Sequence, residues 1–535
     1  MNFQRDGIAP NAGRLLWAGF FAILAAGVGF SIRGGIVNTW RAEFGFTDTQ
    51  IGTITTAGFP GFCFGIILGG LVCDWLGYRA LVVVAFLCHV LSAVTAYFAG
   101  AGDAEFGFQV LYWGTFLFGF ANGTLEAVAN PLVATLFPNH RTHYLNILHA
   151  SWPAGLVLGG LLVYFGGDAI AWRLMLALFL VPTLFYGMLF FGQAMPKSAA
   201  TQQGLRIGEM FRDVGLLGAL VVCLLLSQFF GGLGLPAVAA YGLAGAGVVA
   251  VGVLTRGSLG SWLLFVLFVA HLMVGAVELG TDSWISNITG NLLTPAQGQI
   301  LFVFTSAVMF GLRFCAGTIE RLGLSPVGIL LVSALLACVG LNLAAGIDSF
   351  AGALLALTVY AVGKTFFWPT MLAVASDRFP RTGAIAISMM GGIGMLAAGV
   401  VGGPGLGYAK DRFAGAELQR SDAALYATAQ AGTPSSFLIF DAVRGIDGKQ
   451  LSAANDKLAA VRAEQAKVGQ TDPAAALAQL APAERTLVQA SIAGDRQTLR
   501  VDSVIPAAMA VLYLLLALWF QSRGGYRVLQ LDSRP

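Results

Sequence analysis

GLVCDWLGYR, residues 70–79, stands between two long apolar runs and sets a small residue, an acid four places on and a glycine three beyond: Gly70, Asp74 and Gly77, closed by Arg79. The spacing returns in AGTIERLGLS, residues 316–325, as Ala316, Glu320 and Gly323, with Arg321 beside the acid. A second echo links the run holding Asn130-Pro131, which ends in LFP before Arg141, to the run holding Trp368-Pro369, which ends in RFP before Arg381. A membrane chain that repeats its loops and its helix interruptions is built from two like halves, and such halves place a solute site between them.

The composition agrees. Of 535 residues, 57% are hydrophobic and only 11% charged, against roughly 25% charged in an average soluble domain. The net charge of +3 and the absence of a basic stretch interleaved with aromatics exclude a nucleic-acid binder. Cys63, Cys73, Cys88, Cys223, Cys315 and Cys338 lie in or beside apolar runs without metal-ligand spacing and read as packing residues. No metal, cofactor or enzymatic chemistry is expected. Arg5 and Arg14 precede the first apolar run, which is too long for a signal-peptide core and reads as a retained first helix.

A hydrocarbon core of about 30 Å takes about 20 apolar residues per helix. That rule predicts about fourteen transmembrane helices, near 14–37, 50–73, 78–100, 108–137, 144–165, 170–194, 214–232, 236–254, 258–288, 298–318, 325–346, 350–377, 384–409 and 503–521. The fold class is all-α polytopic: two six-helix bundles with a two-helix hairpin between them. The expected units are a first bundle at 1–195, a linker and hairpin at 196–256, five helices of the second bundle at 257–410, an insert at 411–502, and the last helix with its tail at 503–535. Lys and Arg gather in alternate loops, at Arg79, Arg141, Lys197, Arg206, Arg212, Arg256, Arg321, Arg378 and Arg381. The positive-inside rule then places both termini in the cytoplasm and the protein in a cell inner membrane.

The insert carries 10 Lys/Arg and 11 Asp/Glu and is expected on the outer side. NDKLAAVRAEQAKVG and DPAAALAQLAPAERTLVQA read as helices, the second with Asp472 as N-cap and Pro473 in the first turn. Nothing in the insert resembles a catalytic site, and it is expected to decorate the transporter.

Residues 70–79 resemble the cytoplasmic loop signature of the major facilitator superfamily, Gly-x-x-x-Asp-Arg-x-Gly-Arg-Arg, departing from it at Trp75 and Tyr78. The resemblance implies a conformational latch formed by Gly70, Asp74, Gly77, Arg79, Glu320 and Arg321, in which the acid accepts hydrogen bonds from a helix N-terminus and pairs with Arg. The competing reading is a loop-capping Asp. Within the superfamily, NGTLEAVANP, residues 122–131, resembles the fourth helix of fucose permease-like sugar:proton symporters, and LNILHASWPAGLVLGGLL their fifth. The resemblance implies that Glu126 is a proton carrier. The first helix departs from that family: GFSIRGGIV has Arg33 about where those proteins often have Asp.

A charge at mid-membrane costs about 2.5–3.5 kcal/mol or more, so such groups face the protein interior and are functional by default. The candidate proton- and substrate-binding set is Glu126, Asn122, Asn130, Arg33, Glu278, Asp282, Lys364, Trp368 and His149, with His271 a further polar group. Asn122, Glu126 and Asn130 share a helix face at spacings of four. Burial disfavours an ionised carboxyl, which suits Glu126 to bind and release a proton; the competing reading is a static ion pair with Arg33 or another base. One of Glu278 and Asp282 is expected to neutralise Lys364 and the other to bind solute or proton. Arg33 either holds an anion or balances Glu126. His149 reads as a structural hydrogen-bonder or a proton relay, and Trp368, beside Pro369 in an expected helix break, as a stacking platform. The reading is a monomeric secondary transporter in the lipid bilayer, symporting a sugar or polyol with a proton; the alternative is an organic-anion or nucleoside carrier.

Overall fold

The computed structural model describes residues 9–46, 48–101, 103–167, 169–467 and 473–530. Among the described residues, thirteen helices are long and apolar enough to cross a membrane. With Ala104–Leu136 they form the expected set: α1 (Ala12–Gly35), α2 (Gln50–Cys73), α3 (Tyr78–Gly100), α4 (Ala104–Leu136), α5 (Arg141–Gly166), α6 (Trp172–Phe190), α7 (Gly215–Gly232), α8 (Ala237–Leu254), α9 (Trp262–Leu292), α10 (Pro295–Arg313), α11 (Pro326–Ala344), α12 (Phe350–Arg378), α13 (Ile385–Ser421) and α14 (Pro482–Ser522). The helix outside the thirteen, α4, is 33 residues long and carries Asn122, Glu126 and Asn130; its polar patch lowers its hydropathy.

Local chemistry sets where several helices start. The Asp103 side chain accepts from the Phe106 amide and caps α4. Thr294-Pro295 and Ser325-Pro326 begin α10 and α11 with a hydroxyl cap and a proline at the first helical position, where its missing N–H costs nothing. Ser349 caps α12 through the Gly352 amide.

Helices α1–α6 form one half and α9–α14 the other. Within each half small residues let backbones approach, as expected where lipid supplies no hydrophobic force between helices. A Cβ on Gly123 of α4 would lie 2.0 Å from the Phe62 carbonyl oxygen of α2. In the second half a Cβ on Gly275 of α9 would lie 2.0 Å from the Gly394 oxygen of α13. Gly123→Val should therefore lower the thermal midpoint of the detergent-solubilised protein, since backbone cannot yield as a side chain can; overpacking typically costs about 1–3 kcal/mol. An unchanged midpoint would show that α2 and α4 are free to separate.

Between the halves, α2 packs on α13 and α5 on α10. Where α9 and α13 meet, each has a π-helical turn, Gly275–Gly280 and Ala398–Gly402. A π turn slips the side-chain register locally and is common at functional sites; the one in α9 contains Glu278. The α7–α8 hairpin sits at the periphery. Gly218 of α7 fits against Phe268 of α9, while α8 leaves Val238, Val249 and Val253 exposed.

The insert is rooted in continuous helices. Both α13 and α14 run well past the expected boundaries at 410 and 502 and pack together where a Cβ on Gly494 would meet the Ala414 backbone. Leu418, Ala429, Ile446 and Leu487 form a small core of its own. NDKLAAVRAEQAKVG falls in Gly448–Lys467, with its last residues outside the described ones. DPAAALAQLAPAERTLVQA is not one helix. It divides into Pro473–Ala478 and the start of α14, because Pro482 has no N–H to continue the first and opens the second; Asp472 lies outside the described residues. A two-stranded hairpin, β1 (Ser435–Phe437) and β2 (Phe440–Val443), completes the insert.

Candidate functional site

The polar groups of the bundle meet where α4, α5, α9, α10 and α12 converge. Glu126 is buried, and Asn130, one turn along, donates to its Oε2 at 3.1 Å. The Asn130 Oδ1 accepts from His149 Nε2 at 2.9 Å. The His149 carbonyl oxygen accepts from Arg313 Nη1, and Arg313 Nη2 donates to Glu278 Oε1 at 3.0 Å. A polar path thus runs from a carboxyl of one half to a carboxyl of the other through an amide, an imidazole and a guanidinium.

Two prolines make this path possible. Pro153 lies four residues after His149, and Pro369 four after Thr365. A proline has no N–H to offer the carbonyl four residues back, so both carbonyls are released from their helices. Arg313 takes both, donating from Nε to the Thr365 oxygen at 3.0 Å as well as from Nη1 to His149. Around Pro369, α12 breaks into Phe350–Lys364 and Phe367–Arg378, as its sequence predicted. Pro153→Ala restores a competing donor in α5 and should weaken the tie between the halves. Ligand-free protein would then show a wider distance distribution between spin labels on α5 and α10; an unaltered distribution would assign Pro153 no such role.

Asp282 and Lys364 form a separate ion pair one turn along α9, with the ammonium also over the Tyr360 ring. Asp282 therefore neutralises Lys364, which leaves Glu278 to Arg313. Trp368 lies against His271, ring centroids 4.6 Å apart, and its six-membered ring abuts Gly394. The cavity at the centre is lined by Phe62, Glu126, His149 and Trp152 from the first half and by Glu278, Leu279, Arg313, Trp368 and Met395 from the second. It has a volume of about 30 Å³, room for about one water. A solute needs the halves to part.

Two of the expected residues lie elsewhere. Asn122 Oδ1 accepts from His89 Nε2 at 2.8 Å, and His89 Nδ1 lies 3.1 Å from the Tyr186 hydroxyl. Arg33 stacks on Phe118 at 3.8 Å and donates to the Gly29 oxygen and Ser92 Oγ, with no carboxylate partner among the described residues. Both belong to a polar cluster inside the first half, so Arg33 does not meet Glu126. Arg313 had one sequence signal, a lone Arg in the apolar stretch VMFGLRFCAG inside the expected span 298–318, and the candidate set left it out. His89 also went unread.

Loops at the face that carries the described chain ends hold the two halves together. Gly70 of α2 lies so close to α13 that a Cβ would fall 2.2 Å from that of Ser388. Gly77 has φ +82 and ends its helix. Arg79 donates to the Gln193 oxygen, and Arg321 to its own helix at Gly317. Glu320 is half-buried beside Thr142 of the other half, and burial pushes its carboxyl up. The Asp74 side chain lies outside the described residues. One tie there was not expected from sequence: Arg141 Nη1 pairs with Asp377 Oδ1 at 3.0 Å across the halves, while the Tyr526 hydroxyl donates to Asp377 Oδ2 at 2.8 Å. Asp377→Asn should open this face. Spin labels at Asn139 and Leu322 should move apart, with the ratio of closed to open molecules falling about 5- to 160-fold, as removal of a buried charged hydrogen bond worth about 1–3 kcal/mol requires. Tyr526→Phe should shift it less. No change in either variant would make the Arg141 pair incidental.

Two six-helix halves closed over a charged centre, with helices that cross a membrane, define a multi-pass membrane transporter rather than an enzyme. Residues 19–403 match the Major Facilitator Superfamily, and the chain belongs to that family. Among curated proteins it is 28% identical over 204 residues to the cis,cis-muconate transport protein of Acinetobacter baylyi, 38% of this chain and 48% of that one. It is 28% identical over 144 residues to the hexuronate transporter of Bacillus subtilis, 27% of this chain and 33% of that one. These matches span less than half of either relative. Among solved structures, the proton:xylose symporter of E. coli aligns with TM-score 0.54 at 15% identity, over 72% of this chain and 86% of that one. The fucose:proton symporter of E. coli aligns with TM-score 0.54 at 16% identity, over 75% and 92%. At such identities the likeness is one of fold.

Proposed function

We propose that the protein is a proton-coupled symporter of a small carboxylate-bearing solute, such as a sugar acid or organic acid, with Glu126 as the proton carrier and Arg313 as the carboxylate anchor. The observation that carries this reading is the pairing at the centre. Of the three acids there, Glu278 and Asp282 each have a cation, and Glu126 has, among the described residues, only the Asn130 amide. An ionised Glu126 would stand uncompensated in low dielectric, and a proton removes that cost. Solute and proton enter from the side opposite the described chain ends. Neutral Glu126 permits the halves to close, the Arg141–Asp377 tie parts, and both are released to the cytoplasm.

A planar guanidinium suits a carboxylate because it donates bidentately. Arg313 is already held by two backbone carbonyls, so a solute that displaces Glu278 finds it oriented. Both curated relatives carry names of carboxylate transporters, which supports this choice. A neutral sugar is the second reading, favoured by Trp152 and Trp368 beside His149 in the cavity wall.

The test is uptake into proteoliposomes of labelled hexoses, hexuronates and small dicarboxylates, with and without an inward proton gradient. The acids should accumulate and the gradient should drive them. Accumulation of hexoses alone would overturn the carboxylate assignment, and accumulation indifferent to the gradient would overturn proton coupling.

A further inference from the structure

The β1–β2 hairpin of the insert runs back along α13 toward the membrane. At its base, the Arg444 oxygen lies against Gly415 and Gly445 against Asp411. Midway, Ser435 Oγ bonds Asp411, and the Tyr408 hydroxyl donates to the Asp441 oxygen at 2.8 Å. Near the turn, the Phe437 ring lies 3.0 Å from where a Cβ on Gly405 would stand. From residue 415 to residue 405 an α-helix descends about 15 Å. The turn at Leu438-Ile439 therefore lies on the membrane side of the insert.

Its depth follows from α13. The helix is free of charge from Ile385 to Tyr408, and Lys410, Asp411 and Arg412 follow. That stretch of 24 residues is about 36 Å long, against about 30 Å of hydrocarbon. Gly405 then stands at the boundary of the hydrocarbon, and the turn reaches the same level or deeper. The turn is also built for an apolar medium. Leu438 is 53%, Ile439 94% and Phe440 51% exposed, and no charge lies between Ser435 and Phe440. Leu438 takes φ +47, a left-handed conformation where a two-residue turn ordinarily has Gly or Asn. The chain spends conformational energy to keep a large apolar side chain there.

We infer that Leu438, Ile439 and Phe440 insert into the lipid leaflet on the face opposite the described chain ends, so that the insert is a membrane-docking element of the second half. Its ties to that half are many: Asp495 binds Lys410 and Asn291, Arg496 donates to the Ile347 oxygen, and Thr281 donates to Asp502. Apolar side chains in the interface bind by the area they bury. The docked turn thus gives the second half a second hold on the bilayer, off the axis of its helices, which constrains how that half tilts.

The test uses the full chain in proteoliposomes. Cys315, the exposed cysteine among the described ones, becomes Ser, and an environment-sensitive fluorophore is attached to Ile439→Cys or, as the control, to Thr433→Cys near the hairpin base. The label at 439 should emit to the blue of the label at 433, be quenched by doxyl-labelled lipid and be protected from aqueous iodide, with the opposite pattern at 433. Iodide quenching at 439 without lipid quenching would overturn the inference. A blue shift at 439 without quenching by either probe would also overturn it, placing the turn against the first half of the protein.

Discussion

Glu126→Gln abolishes uphill transport and leaves exchange of solute across the membrane intact. With one proton carried per solute and the membrane potential clamped, each unit of pH gradient is worth about 1.36 kcal/mol, or tenfold accumulation. The wild-type protein should concentrate its solute about tenfold per unit, and the variant should bring the ratio to about one. The reason lies in the partners. Gln keeps the volume of Glu126 and an oxygen that can accept from Asn130, so the path through Asn130, His149 and Arg313 survives. What is lost is the one central carboxyl without a cation. Gln imitates its protonated form permanently, so the halves rock whether or not a proton is present. If Glu126→Gln still concentrates solute up the gradient, the coupling proton sits elsewhere, and Glu278, the other buried carboxyl lining the cavity, is the next candidate.

The second large effect is at Arg313. Arg313→Gln leaves Glu278 buried without its cation and two released carbonyls without their donor. Breaking a buried pair by removing one member costs about 3–5 kcal/mol, which should appear as a markedly lower thermal midpoint. Carboxylate affinity should fall by about 30-fold or more, the loss expected when a buried charge pair with the ligand worth about 2 kcal/mol or more is removed. The double variant Arg313→Gln/Glu278→Gln separates the two effects. With neither charge left to strand, stability should largely return, while affinity for carboxylates should not. Return of affinity together with stability would mean that Arg313 only holds the site in shape, and the neutral-sugar reading would gain.

The membrane class and the helix count were open to the sequence because transmembrane helices satisfy their own backbone and show themselves as runs of about 20 apolar residues. The repeat of residues 70–79 in 316–325 gave the two halves, and the isolated acids gave Glu126, Glu278 and Asp282 as groups that must have a purpose. The break at Pro369 was legible for the same local reason. So was the peripheral place of the α7–α8 hairpin, which has no charged residue inside the membrane.

Which charge meets which was decided only by tertiary structure. Spacing along α4 puts Asn122 and Asn130 equally near Glu126, yet Asn122 turns to His89 and Asn130 to Glu126. Spacing along α9 makes Glu278 and Asp282 equal claimants on Lys364, and the break in α12 hands Lys364 to Asp282. Arg313 could not be assigned from its own helix, because its acceptors are the carbonyls of His149 and Thr365 and the carboxyl of Glu278, on three other helices and from both halves of the molecule. A sequence records local pattern, and burial leaves few ways to satisfy each isolated charge; the choice among them is made by distances between helices, which no periodicity encodes.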